Sequence, residues 1–249
     1  MKYNFKTKQA VMEIEHCVKR YMDEKMPGYD PCVDLTSDPR SLVAALLINQ
    51  YFPKRAHVVY VEDRENDRVD DEVIEIIEKK FNDRFHKIDT NECEPYRNCL
   101  DIFTYDDPMT QFGNHMNLKT LYLESKFQNF VFLDPMDTVQ FNTGFTTLFD
   151  ETFIPIFYNL IFDEIVKIGK ALKLEEDFLL SLYNKSDIIR LHEKNLDASV
   201  LDIGKSVREN DEVHPEFIRL AEKHAVITNI SLDKMPVKIN ITAIYDLIG

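Results

Sequence analysis

Apolar and polar residues follow two different periods along this 249-residue chain, and these periods predict helices and strands in regular succession. Apolar side chains recur every three or four positions within residues 5–25, so a first amphipathic helix is expected there. Short apolar runs, typical of buried strands, then alternate with helical spacing. The predicted order is a strand at 32–35, a helix at 40–51, a strand at 56–62, a helix at 70–82, a strand at 84–90, a helix at 116–128 and a strand at 129–134.

The repeated strand–helix–strand order predicts an α/β fold in which a parallel sheet lies between layers of helices. Further helices are expected at 163–174, 199–208 and 215–225. Residues 91–113 show no period and are expected to form a long loop, either functional or mobile. No linker, repeat or low-complexity segment divides the sequence, so residues 1–249 are interpreted as one domain.

The polar turn "LTSDPR" (35–40) joins the first of these strands to its helix, a position where α/β proteins often bind phosphate. The turn has no glycine, and close approach of backbone to a phosphate normally requires one. Asp38 and Pro39 instead fit a helix start: the aspartate caps free N–H groups, and proline is favourable at the first helical position. This interpretation predicts a turn rebuilt for stability.

A second interpretation of the turn is a replacement anion site formed by Thr36, Ser37 and Arg40. The guanidinium group binds phosphate with two parallel hydrogen bonds, which favours this site. Against it, an arginine in the first turn of a helix opposes the helix dipole, and such a side chain usually faces solvent or an acidic neighbour.

Composition excludes several classes of protein. The net charge of −14 and the pI near 4.9 argue against nucleic-acid binding, and no run of 18 apolar residues predicts a membrane span. Four cysteines without metal-ligand spacing indicate a reduced, cytoplasmic protein. Seven histidines show no paired spacing, and the mixed charges of residues 62–70 predict a solvated loop, since they lack the glycine and spacing of a calcium loop.

Several local phrases in the order in which they occur resemble the ammonia-dependent NAD synthetases, which have the adenine-nucleotide α-hydrolase fold. The matching phrases are "LVAALL" (42–47), the Gly113–Asn114 pair, "IPIFYNLIFDEIVKIGKALKLEEDFL" (154–179) and Lys234–Met235–Pro236. The resemblance spans nearly the whole chain. It implies a three-layer α/β/α domain, a dimer joined through long helices, and synthesis of NAD from deamido-NAD, ATP and ammonia.

The residues that carry this chemistry in the family are replaced here. With "LVAALL" in register, residues 35–40 lie on the family's Ser-Gly-Gly-x-Asp-Ser loop, so both glycines are lost and the expected Mg²⁺ ligand becomes Pro39. The family's second phosphate and metal segment, Gly-Thr-x-Asn-Lys-x-Glu, corresponds to "LDPMDTVQF" (133–141), which lacks the lysine. Its glutamate falls at Asp137 or Val139. The Arg-x-Arg, Pro-Ser-Ala and acidic positions are replaced as well, by 118–120, 183–185 and "HEKN" (192–195).

The sequence therefore predicts an NAD synthetase-like domain with a degenerate ATP-pyrophosphatase loop and no catalytic residues. No cofactor is expected; if the site still functions, ATP and Mg²⁺ are. The residues that would then bind ATP are Thr36, Ser37, Arg40 and Asn114, and Asp137 would hold the metal. We expect a homodimeric scaffold or interaction protein with an unidentified protein partner. The alternatives are a diverged NAD synthetase and a nucleotide-binding sensor without turnover.

The homodimer is also expected from an apparent excess of apolar residues near "MNLKTLYLESKF" (116–127) and "FIPIFYNLIF" (153–162). These residues are too many for one face of each element, so an interface would cover the remainder. The alternative is that all of them are buried inside one monomer, on both faces of the sheet.

Overall fold

The computed structural model describes residues 2–62, 67–89, 123, 125–143, 153–209, 215–228 and 244–248. Its main sheet has five parallel strands in the order β4-β3-β2-β5-β6. They are β2 (Asp30–Asp34), β3 (His57–Glu62), β4 (Phe85–Asp89), β5 (Phe130–Asp137) and β6 (Phe153–Phe157). A separate antiparallel pair joins β1 (Lys2–Phe5) to β7 (Tyr245–Ile248), so the two ends of the chain lie side by side.

Nine helices are described in these ranges, together with a 3₁₀ turn at Asn82–Arg84. In chain order they are α1 (Thr7–Glu24), α2 (Pro39–Tyr51), α3 (Asp71–Phe81), α4 (Thr138–Thr143), α5 (Phe162–Ala171), α6 (Glu176–Lys185), α7 (Asp187–Leu196), α8 (Val200–Glu209) and α9 (Pro215–Thr228). The α2 helix is apolar on almost every side because it packs against β2, β5, α1 and α5 at once. In the described part of the chain, no helix is long and apolar enough to cross a membrane.

The predicted α/β class, the parallel sheet and the first three helix and strand pairs are confirmed, with boundaries within two residues. Three strands were missed, the terminal pair β1 and β7 and, in the main sheet, β6, which lies where only interface residues were expected. Its central Pro155 has no N–H for the sheet, which hides the strand pattern. The proline is tolerated because β6 is the edge strand of the sheet formed by the described residues. The predicted loop at 91–113 and most of the predicted helix at 116–128 lie outside the described residues.

The apolar residues that suggested a dimer interface are described only in part, since Leu118, Leu121 and Tyr122 lie outside the described residues. The described members of that set are buried within the single chain, apart from the half-buried Phe127: Leu123, Ile154, Phe157, Tyr158, Ile161 and Phe162. The strand β6 and the start of α5 therefore belong to the monomer core, as the alternative interpretation held. The homodimer stays a prediction, but the described apolar residues do not support it.

Candidate functional site

The candidate site lies at the point where the strand order of the parallel sheet reverses, between β2 and β5. From β2 the chain moves to β3 and β4 on one side, and it returns to β5 and β6 on the other. In open parallel sheets, ligands bind in the crevice at the carboxyl ends of the strands at such a switch point. The turn at 35–40 follows β2, and Asp137 ends β5, so the structure brings both sequence-predicted segments to this crevice.

Asp38 begins α2 as the sequence predicted. Its Oδ1 accepts the backbone N–H of Arg40 at 2.9 Å, and Pro39 occupies the first helical position. Because this carboxylate occupies a free donor at the helix N-terminus, an anion approaching that end meets a negative charge. The predicted helix cap is confirmed.

Arg40 does not face solvent: its side chain is fully buried in the crevice. Its Nε donates to Oδ1 of Asp38 at 2.9 Å and its Nη2 donates to Oδ2 at 2.7 Å, a two-pronged pair. Its Nη1 donates to Oδ2 of Asp137 on the neighbouring strand. The guanidinium carbon lies 5.6 Å from the ring centre of Phe162, which covers the group. Of the two alternatives stated for this side chain, the acidic neighbour is correct.

Asp137 is also fully buried, and both of its oxygens accept hydrogen bonds. Oδ2 accepts from Arg40, and Oδ1 accepts the backbone N–H of Gln140 at 2.9 Å, which caps α4. The side chain of Gln140 closes the cluster by donating to Asp38 at 3.3 Å. We call Asp38, Arg40, Asp137 and Gln140 the buried network. It ties the ends of β2 and β5 to the starts of α2 and α4.

One cation balances two carboxylates in the buried network, and the pKa values reflect this. Burial disfavours the charge of Arg40, but Asp137 and Asp38 outweigh that effect and raise the pKa of the guanidinium above its ordinary value. Burial raises the pKa of Asp137, against the opposing effect of Arg40. The arginine therefore stays charged and holds the two strands together through its carboxylate partners.

Two polar residues of this region were not singled out from the sequence. His192, within "HEKN", is fully buried, and its Nε2 lies 2.9 Å from the hydroxyl of Thr143 on α4. Burial, followed by the charge of Arg40, lowers the pKa of His192 to about 3. Burial raises the pKa of Asp134 on β5 to about 7. No sequence spacing signals either residue, because their environment depends on contacts between distant elements.

Thr36 and Ser37 face the other side of the turn. The backbone N–H of Ser37 donates to Asp67 at 2.7 Å, and its hydroxyl lies 3.1 Å from that of Ser186. Asp67 is buried, which corrects the prediction that all of the charged residues at 62–70 are solvated. The cause is that Asp67 accepts from the turn, so its charge is met by a backbone donor.

A cavity of about 340 Å³ opens beside Thr36 and Ser37. It lies between the starts of α2, α3 and α7. Its charged lining consists of the cations Arg68, Lys185 and Arg190 and the acidic residues Asp38, Asp70, Asp71 and Asp187. Two of these cations have acidic partners, since Lys185 donates to Asp70 at 2.8 Å and Arg190 to Asp187. These pairs are solvent-exposed, in contrast to the buried network.

The structure thus brings together four of the predicted site residues, Thr36, Ser37, Arg40 and Asp137, and separates them onto two sides of one turn. Asn114 lies outside the described residues. Val139, the alternative metal position, is an apolar core residue and offers no ligand atom. Among the described residues, no group of three or more His, Cys, Asp or Glu side chains is arranged to hold a metal ion.

Comparison with known proteins identifies the fold. No protein-family model matches the sequence, and no curated protein matches it. The NMN synthetase of Francisella tularensis is 15% identical, with a TM-score of 0.69 over 92% of this chain and 98% of that chain. The NH₃-dependent NAD synthetase of Campylobacter jejuni is 13% identical, with a TM-score of 0.62 over 95% and 100%. The NAD⁺ synthetase of Burkholderia pseudomallei is 12% identical, with a TM-score of 0.60 over 91% and 90%. The chain has the NAD synthetase-like, adenine-nucleotide α-hydrolase fold.

Proposed function

We propose that this chain is a non-catalytic protein on an NAD synthetase-like fold, and that it acts as a scaffold or interaction protein. The observation that carries the proposal is the burial of Arg40 between Asp38 and Asp137 at the switch point. A protein that bound ATP in this crevice would keep open donors there for the phosphates. Here the donors are occupied by carboxylates of the chain itself.

The residues at the phosphate position and at the Mg²⁺ position both disfavour adenylation. A pyrophosphate group needs free N–H donors and positive potential, whereas Asp38 supplies a negative charge at the start of α2. Mg²⁺ needs several oxygen ligands in an octahedral arrangement, whereas both oxygens of Asp137 already accept hydrogen bonds and Pro39 offers no ligand atom. The residues present do not fit ATP with Mg²⁺ in the crevice. Loss of one preorganised contact typically lowers a rate by roughly 10²–10³.

Titration calorimetry and product analysis test this proposal together. The purified protein is titrated with ATP and Mg²⁺ and with deamido-NAD, and it is then incubated with all of them and ammonia. We expect no AMP release and no NAD, under conditions where an ammonia-dependent NAD synthetase forms both. Ammonia-dependent turnover that is lost in Asp137→Asn would overturn the proposal and would favour a diverged NAD synthetase. Asparagine at this position keeps an acceptor for α4.

A homodimer remains part of the proposal, and the resemblance to the NAD synthetases is what supports it. Light scattering at low micromolar concentration distinguishes a particle of about 59 kDa from the 29.3 kDa monomer. The protein partner, the cytoplasmic location and the absence of a cofactor are likewise predictions.

A second candidate function is a nucleotide-binding sensor without turnover, and the cavity beside Thr36 and Ser37 is the observation that favours it. Lys185 and Arg190 at its rim are exposed and exchange readily between partners, so an added phosphate competes with their carboxylates. Binding of ATP without AMP release would support the sensor. Lys185→Gln should then weaken binding, while Lys170→Gln, which removes a similar exposed ion pair away from the cavity, should not.

A further inference from the structure

A cluster of four rings lies at the opposite edge of the sheet, where β3, β4 and β5 begin. It consists of His57, His86, Phe127 and Phe130, all half-buried. The two phenylalanine rings stack with 8° between their planes and 5.2 Å between their centres. His57 stacks on Phe130 at 4.6 Å and on His86 at 5.1 Å. The cluster connects the first residue of β3 to the second residue of β4 and to the turn before β5.

A direct hydrogen bond joins the two imidazoles. Nδ1 of His57 lies 2.9 Å from Nε2 of His86. Such a bond needs an N–H on one ring and a lone pair on the other. It forms when both rings are neutral, and it persists when the pair carries one extra proton. It is impossible when both rings are protonated, because both nitrogens are then donors and both rings are positive.

The charged groups around the pair are few. Asp30 on β2 has an oxygen 3.9 Å from Nε2 of His57, but its other oxygen accepts from Arg55 at 2.8 Å. The 3₁₀ turn contributes Asp83 and Arg84, which act on the pair in opposite directions. Phe127 and Phe130 bring no charge. Among the described residues, the two anions Asp30 and Asp83 are thus offset by Arg55 and Arg84, so no net negative charge is left to neutralise a doubly protonated pair.

The pKa values agree with this geometry. Burial, followed by the neighbouring His86, lowers the pKa of His57 below its ordinary value. Burial also lowers the pKa of His86. Because the two rings share a hydrogen bond, their protons are taken up as a coupled pair rather than at two independent sites.

We propose that His57 and His86 form an acid-sensitive latch at the amino-terminal edge of the sheet. At neutral pH the shared hydrogen bond and the ring stack hold the starts of β3 and β4 to the turn at Phe127 and Phe130. Entry of a second proton breaks the bond and separates the rings. The edge of the sheet then opens, while the core around α2 keeps its packing.

Two measurements on the intact protein test the latch. In an NMR titration, the imidazoles of His57 and His86 should titrate as a coupled pair, in two separated steps. Hydrogen exchange, corrected for intrinsic rates, gives the equilibrium constant for local opening at each amide. At 57–59 and 85–87 this constant should rise by about tenfold for each unit by which the pH falls, over the range in which opening takes up one proton. Amides at 32–34 in the central strand should keep their protection, which separates local opening from global unfolding.

His86→Asn is the informative variant, and His16→Asn is its control. The first should abolish the extra exchange at 57–59 and 85–87 in acid, and the second should leave it unchanged. If His86→Asn does not fold, the titration of the unmodified protein still decides. Independent titration of His57 and His86, or equal acid sensitivity of 57–59 and 32–34, would overturn the latch.

Discussion

The turn at 35–40 has an inner and an outer side, and the two differ in how they use charge. On the inner side, Arg40 is buried with Asp38 and Asp137, and both carboxylates pair with its guanidinium group. On the outer side, Lys185 and Arg190 pair with carboxylates in solvent, around a cavity.

The difference shows that one turn can carry a buried ion-pair network on one side and a solvent-accessible cavity on the other. A buried ion pair is expensive to desolvate and equally expensive to break, so the inner side holds one arrangement. Exposed pairs contribute little and rearrange freely. If this chain retains any ligand binding near the turn, the outer side is where the physical chemistry allows it. On the inner side, the ion pairs of Arg40 connect the end of β2 to the end of β5.

The largest expected effect comes from Arg40→Met. This change removes the only cation of the buried network and leaves two buried carboxylates without a positive partner. We expect the free energy of unfolding to fall by about 3–5 kcal/mol at neutral pH. Urea denaturation checks it. The matched change on the outer side, Arg190→Met, removes an exposed pair and should cost less than about 1 kcal/mol.

A double variant sharpens the same comparison. Asp137→Asn removes the charge that Arg40→Met leaves unpaired, but it keeps an oxygen for the cap of α4. The double variant should therefore be destabilised by less than the sum of the two single changes. Strict additivity would show that Arg40 and Asp137 do not act as a pair.

Asp38→Ala should have a smaller effect than Arg40→Met. It removes the cap of α2 and one partner of Arg40, but Asp137 remains to balance the guanidinium. We expect a loss of about 2 kcal/mol in unfolding free energy, at the upper end of the range for a helix cap. A neutral or stabilising result would contradict the capping role and would suggest that Asp38 is held in strain for a ligand.

Local patterns predicted the fold well but the candidate site only in part. The spacing in "LVAALL" and the cap at Asp38 depend on neighbouring residues, so they are visible in the sequence. The pairing of Arg40 with Asp137 depends on β2 and β5 lying side by side, although 97 residues separate the two side chains. Arg40 and Asp137 were therefore each predictable as site residues, but the ion pair between them was not. The strand β6 was missed for a related reason, since Pro155 interrupts its pattern and only its edge position makes it tolerable.

Acid should lower the free energy of unfolding through the buried His192, which lies near the inner side of the turn. Its ordinary pKa of 6.5 is lowered to about 3 in the fold, so between these values the unfolded chain binds a proton that the folded chain excludes. Stability from this group is complete above pH 6.5 and is lost as the pH falls toward 3, by about 1.4 kcal/mol for each pH unit within that window. Asp134, with its raised pKa, acts in the opposite direction over part of the same window.

Comparison with a variant isolates the histidine. The unfolding free energy of the unmodified protein minus that of His192→Gln should fall steadily from pH 6.5 to 4.5. A constant difference for His192→Gln would mean that this residue is not excluded from protonation in the fold.

The smallest effect is expected on the outer side, from Lys185→Gln. The ammonium group is exposed and its pair with Asp70 is solvated, so its removal should leave the midpoint of urea denaturation essentially unchanged. The pair also holds the pKa of Asp70 below its usual range, chiefly through the hydrogen bond from Lys185, so the change should return the pKa of that carboxyl toward its ordinary value. Denaturation and an NMR titration of Asp70 measure the two effects separately. A loss of stability comparable to that of Arg40→Met would show that the cavity rim is as structural as the buried network, and the contrast between the two sides of the turn would then fail.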